Sequence, residues 1–188
     1  MEKIIKVDLN DNEIGQIEKL EAHKQPILHR AFSVFLVCGS KMLIQKRADG
    51  KYHSSGLWAN SCCSHPRPNK TFLQSVYDRL DVELGIKKEI PLKEIFKFTY
   101  LSKYEENLYE YEYDHVLVGE YDKDKVINFN KEEIAEVAWI EIEELKNDMI
   151  LNPKKYSTWF IICAPKVFEY LGYWHLYWYL LYYLCKGD

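Results

Sequence analysis

The alternation of hydrophobic and polar positions changes period several times along the chain, and those changes divide it into elements. Met1–Asp8 reads as a strand, and Asp11, Asn12 and Gly15 punctuate a turn over Asn10–Gly15. Ile17–His23 reads as a short helix. Ala31–Val37 is rich in branched and aromatic residues, and Met42–Lys46 resumes that pattern after a Cys38–Lys41 turn, so the two predict a hairpin. Gly50 to Pro68 has no period and holds Gly56, Pro66 and Pro68, which predicts a long loop. Long loops inside compact domains are often functional. Phe72, Val76, Leu80 and Leu84 recur at helical spacing, predicting a helix over Thr71–Leu84 that Gly85 stops. Strands at about Phe96–Leu101, Tyr109–Tyr121 and Val137–Ile140 follow, then a helix near Ile142–Asp148. This order predicts an α/β domain in which helices pack on the faces of a sheet.

The C-terminal end departs from that pattern. Tyr170–Leu184 carries Trp174, Tyr177, Trp178, Tyr179, Tyr182 and Tyr183. The run falls short of the roughly 20 apolar residues a membrane span needs, and His175 interrupts it. It reads as an aromatic helix that is buried or that builds a homodimer, with an interfacial membrane helix as the other reading. The domain reading is one unit over 1–188, with 166–188 as a helical extension and no transmembrane span.

Composition narrows the class. The 188 residues are 47% hydrophobic, enough for a substantial core, and no Gly/Ser-rich linker divides them. A net charge of −4 argues against general attraction to nucleic acid or anionic lipid, so phosphate binding would need a local basic pocket. Five cysteines without scaffold spacing, and no signal peptide at the start, suit a reducing cytoplasm where thiols stay available for chemistry.

His23, His29, His65, Glu110 and Glu112 are the residues able to hold a metal, and imidazole with carboxylate suits zinc, manganese or iron. Glu110 and Glu112 are two apart in a strand-like run and share a face, as does Asp114. A solvated strand edge would explain those carboxylates equally well. The loop segment Trp58 to Pro66 places Cys63 two residues before His65, beside any such metal. Cys62 and Cys63 cannot both point inward in an extended loop, so one of them is a packing residue.

Four segments together resemble the type 1 isopentenyl-diphosphate isomerases of the Nudix superfamily: His29 to Ser33, Trp58 to Pro66, Glu83-Leu84-Gly85 and Glu110-Tyr111-Glu112. The resemblance runs in order from about Lys19 to Trp159. It implies a Nudix-type α/β/α sandwich with a mixed central sheet, and conversion of isopentenyl diphosphate to dimethylallyl diphosphate. Cys63 and Glu112 match the family's catalytic pair. His23, His29, His65, Glu110 and Glu112 match the ligands of a divalent metal, Mn²⁺ or Zn²⁺, and Glu83 the position holding Mg²⁺ against the diphosphate. Lys19, Arg47, Lys51 and Arg79 match cationic contacts to that diphosphate, while Tyr100 and Trp159 match aromatic residues lining the pocket. The implied partner is a small prenyl diphosphate.

The helix Thr71–Gly85 occupies the place where Nudix hydrolases carry a glutamate-rich box. Asp78, Arg79 and Val82 stand at the arginine and glutamate positions of that box, leaving Glu83 and Gly85. Too few carboxylates remain for the metal cluster of pyrophosphohydrolysis. Asp78 replaces a usually basic residue, with weakened diphosphate binding or an added ion ligand as its expected effects. A Nudix pyrophosphohydrolase and a catalytically idle interaction module are the alternative readings.

Overall fold

The computed structural model describes residues 2–51, 53–104 and 107–173. Nine strands and four α-helices form among them: β1 (Lys3–Val7), β2 (Glu13–Glu18), α1 (Lys19–Lys24), β3 (His29–Cys38), β4 (Lys41–Arg47), β5 (Trp58–Ala59), β6 (Cys62–Ser64), α2 (Phe72–Leu84), β7 (Leu92–Lys103), β8 (Tyr109–Glu120), β9 (Ile134–Glu141), α3 (Ile142–Leu151) and α4 (Thr158–Tyr170). The strands make one mixed sheet centred on β3. That strand pairs antiparallel with β1, β4 and β6, and parallel with β8 in an unbroken register from His29↔Glu112 to Val37↔Glu120. β7 lies antiparallel to β8, and β9 antiparallel to β4.

Side chains alternate across the sheet, so β3 feeds two cores. Phe32, Val34 and Leu36 pack with Leu117 beneath Val76, Leu80 and Leu84 of α2. Phe35 and Val37 pack with Val116 and Val118 against Leu145 and Met149 of α3 and Phe160, Ala164 and Val167 of α4. The result is an α/β/α sandwich, as expected. α2 is held at both ends: Thr71 and Gln74 form a capping box, and Gly85 closes the helix in the left-handed conformation at φ 68°.

The structure corrects three readings and adds a helix. Glu13–Glu18 is a strand, so Ile17 and Glu18 belong to β2 and the helix begins at Lys19. The Gly50–Pro68 loop contains β5 and β6, too short to show a period. Thr158–Tyr170 is a further helix, burying one face through Trp159, Phe160, Cys163, Ala164, Val167 and Phe168, while apolar Ile161 and Ile162 outside that face blur its pattern and Pro165 reads as a breaker. The Glu110 and Glu112 carboxylates lie on a strand flanked on both sides rather than on a solvated edge. The aromatic segment from Trp174 onward, and with it most of the expected extension and homodimer surface, lies outside the described residues. No helix among the described residues is long and apolar enough to cross a membrane.

Candidate active site

The face of the sheet that packs under α4 changes from apolar to polar along its length. On β8 the side chains of Val118 and Val116 are followed on that face by Asp114, Glu112 and Glu110, and on β3 Phe35 is followed by Ser33 and His29. Parallel pairing sets His29 opposite Glu112 and Ala31 opposite Asp114. α1 brings His23 to within 5.0 Å of the His29 ring, and the chain leaving β6 brings the His65 ring to 4.9 Å from His29.

His23, His29, His65 and Glu112 each offer one donor atom, all within 4.8 Å of one another, and all four residues are buried. His65 Nε2 lies 2.9 Å from Glu112 Oε1 and 3.2 Å from His29 Nε2. Two ring nitrogens at that distance beside a carboxylate can turn their lone pairs on one point, an arrangement a cation would satisfy. Local groups orient the rings: His23 Nδ1 meets Lys19 O at 2.6 Å, and His29 Nδ1 meets Ile27 O at 2.7 Å. Burial pushes the pKa of both His23 and His65 down, so these imidazoles are neutral, the form that ligates metal. The buried cluster is compatible with a divalent metal.

Tyr100 sits behind the glutamates rather than on the cavity wall, donating its hydroxyl to Glu112 Oε2 at 2.7 Å and Glu110 Oε2 at 3.0 Å. Burial raises its pKa well above the ordinary range, and the neighbouring carboxylates add to that, so it stays a phenol. Burial alone would raise the pKa of Glu112, but the hydrogen bonds from His29 and His65 outweigh it and hold the carboxyl well below its ordinary value. Asp114 is different. Burial and the Glu112 charge raise its pKa, and it accepts from Ser33 Oγ at 2.7 Å. It lies outside the cluster.

β6 settles the two cysteines. Cys62 pairs opposite Val34 and packs in the core under α2; Cys63 pairs opposite Ser33 and lines a cavity on the other face. Burial pushes the Cys63 pKa up, so the group is a protonated thiol. The same cavity is lined by Lys19, Arg47, Lys51, Arg79, Glu83, Glu110, Glu112 and Trp159, together with Glu133 and His53, two residues not singled out from the sequence. Trp159 is buried, with the Arg47 guanidinium 5.2 Å from its ring centroid. Arg79 pairs with Glu83 one helical turn on and reaches Glu133 at 3.4 Å, while Lys51 pairs with Glu133 and Lys19 with Glu2 at 3.5 Å. Asp78 is exposed and pairs with Lys70 outside the cavity; like Val82, it points away from the site. No effect of Asp78 on diphosphate is built into this geometry. Glu133 was hidden because it precedes β9 in an acidic stretch that reads as surface, and His53 because it follows no metal-ligand spacing.

The fold and this site define a Nudix protein: residues 27–160 match the NUDIX domain, and the chain belongs to that family. Solved structures agree on the fold. A Deinococcus radiodurans protein, DR0079, superposes with a TM-score of 0.65 at 18% identity, covering 80% of this chain and 90% of that one. The Nudix hydrolase RenU from M. smegmatis gives 0.57 at 13% identity, covering 91% and 96%. Within the family the chain belongs to the isopentenyl-diphosphate Delta-isomerases. It is 41% identical to isopentenyl-diphosphate Delta-isomerase 2 of Aromatoleum aromaticum, over 88% of this chain and 86% of that one. It is also 41% identical to the isomerase 2 of Photorhabdus laumondii, over 85% and 88%.

Proposed function

We propose that this chain interconverts isopentenyl diphosphate and dimethylallyl diphosphate, with Cys63 and Glu112 as its acid and base. The observation that carries the reading is a buried thiol and a buried, ionised carboxylate lining one cavity beside a His/Glu cluster. The relatives bearing the isomerase name match over most of their length, which supports the same assignment. In the forward direction the Cys63 thiol delivers its proton to the terminal methylene of the alkene, leaving a tertiary cation. Glu112 then takes a proton from the carbon two positions away, which moves the double bond. Tyr100, hydrogen-bonded to both glutamates, holds Glu112 in place for that transfer. Trp159 lines the same cavity as Cys63 and Glu112, where its π face would stabilise the cation; a desolvated cation–π contact is worth about 2 kcal/mol. Lys19, Arg47, Lys51 and Arg79 bind the diphosphate and keep only the short hydrocarbon at the reacting end. His23, His29, His65, Glu110 and Glu112 would hold Mn²⁺ or Zn²⁺, and Glu83 Mg²⁺ beside the diphosphate. When bound, these ions supply positive charge that fixes Glu112 and screens the phosphates.

Proton NMR of isopentenyl diphosphate incubated with the protein, magnesium and manganese in deuterated buffer tests this. Dimethylallyl diphosphate carrying deuterium is the expected product; unchanged substrate from folded, metal-loaded protein overturns the reading. On α2 the turn facing the cavity offers one carboxylate, Glu83, already paired with Arg79, which speaks against the pyrophosphohydrolase.

A further inference from the structure

The loop between β4 and β5 brings a further imidazole to the cluster. His53 is buried, and its Nε2 stands 3.0 Å from Glu110 Oε1. Donor atoms of His23, His53 and Glu110 lie within 4.8 Å of one another, a second group that shares His23 with the first. The ring is oriented in the manner of the established candidates. Its Nδ1 faces Ser54 Oγ at 3.3 Å, as the Nδ1 atoms of His23 and His29 face backbone carbonyls, and in His53 as in His29 this leaves Nε2 directed at the cluster. Aromatic neighbours fix the ring plane: it stacks on Tyr104 at 4.7 Å and 24°, and stands edge-on to Trp159 at 6.0 Å. Tyr104 in turn donates to the other Glu110 oxygen at 2.7 Å. Supports of this kind are what orient ligating imidazoles.

We propose that His53 is a sixth protein donor to the divalent ion of the His/Glu centre, added through Nε2 beside Glu110. This rests on the metal-centre reading above. Two consequences follow for the site. A fourth imidazole shifts the preference of the centre toward zinc, cobalt and nickel and away from magnesium. The same loop carries Lys51, so the ion and the diphosphate-binding cation are tied to one segment of chain.

The test compares wild type, His53→Gln and His65→Gln by chelator competition for Zn²⁺ and by the visible spectrum of the Co²⁺ form. His53→Gln should bind Zn²⁺ about 10- to 100-fold more weakly, a loss no smaller than that from removing a group that orients a ligand. Its cobalt bands should strengthen as coordination number falls. Melting of the metal-free proteins verifies that the variant is folded. A folded His53→Gln with wild-type affinity and an unchanged cobalt spectrum overturns the proposal. Where that variant fails to fold, pulsed EPR of the wild-type Mn²⁺ form counts imidazole nitrogens: four support His53 and three overturn it. A wild type that takes up no ion, shown by its failure to compete with chelator, refutes the metal centre itself and this inference with it.

Discussion

The indole of Trp159 on α4 donates its Nε1–H to Asn60 Oδ1 at 3.0 Å, joining residues 99 apart in sequence. Asn60 spends its amide on Val34 O and Cys62 O, at 3.1 and 2.8 Å. The bond therefore fixes the backbone that presents Cys63. Trp159→Phe keeps an aromatic face but leaves Asn60 Oδ1 buried without its partner, so it should cost about 1–3 kcal/mol of stability, read by urea denaturation. Trp159→Leu also removes the π face, and kcat/KM should fall by about 30-fold beyond the Phe variant, the equivalent of about 2 kcal/mol. Equal turnover in the two variants would refute the cation–π role.

The two cysteines should separate cleanly. Cys63→Ala and Glu112→Gln are expected to lower kcat by at least about 10²–10⁴-fold, the range of a lost proton donor or acceptor. Cys62→Ala should lower Tm and leave turnover within a few-fold, because its sulfur lies in the core beneath α2. A large turnover loss at Cys62 would reverse the assignment.

Metal removal should read out as stability. Any ion that binds the folded state alone adds about 2.7 kcal/mol when present at 100 times its Kd. Treatment with a chelator should therefore lower Tm, and added Zn²⁺ or Mn²⁺ should restore it. An unchanged Tm across chelation and reloading would count against the centre.

Gly85 has no room for a side chain. At its φ of 68° a Cβ would lie 2.7 Å from the carbonyl oxygen of Asn128, a backbone atom. Gly85→Ala should destabilise by more than the about 1–2 kcal/mol of left-handed strain alone, measured as a fall in urea midpoint.

Acid should loosen the β1–β2 turn. Burial alone would raise the Asp11 pKa, but Arg30, with Nε 2.6 Å away, together with His115 and Lys97, holds it below its ordinary 3.8. A carboxyl with a depressed folded pKa contributes stability that is present above 3.8 and lost as pH falls through the lowered value. Asp11→Asn should be less stable than wild type near neutrality, and the difference should shrink below that range in pH-dependent melts. A constant difference would show that charge is not the cause.

Where the chain obeys one period over many residues, its sequence was readable. Phe72, Val76, Leu80 and Leu84 announced α2, and the hairpin of β3 and β4 and the strand bearing Glu110 and Glu112 were equally plain. β5 and β6 escaped because two or three residues carry no period, yet β6 is what turns Cys63 toward the cavity and Cys62 into the core beneath α2. The site divided along the same line. Family motifs led to the cavity-lining Cys63, Glu83 and Glu112, whereas His53 and Glu133 depend on pairings between distant segments. His53 shares its short loop with Lys51, a signal that gains meaning only when the loop is seen folded over Glu110.

The parallel pairing of β3 with β8 has a consequence for how the protein is made. Ser33 and Asp114 are bonded although they stand 81 positions apart, and His29 meets Glu112 in the same register. During synthesis the histidines and Cys63 leave the ribosome well before their carboxylate partners exist. Non-local parallel contacts of this kind form late, after the entropy of closing a long loop has been overcome. The nascent amino-terminal half therefore presents bare imidazoles and thiols, and an ion captured at that stage lacks the carboxylate donors that the finished centre offers.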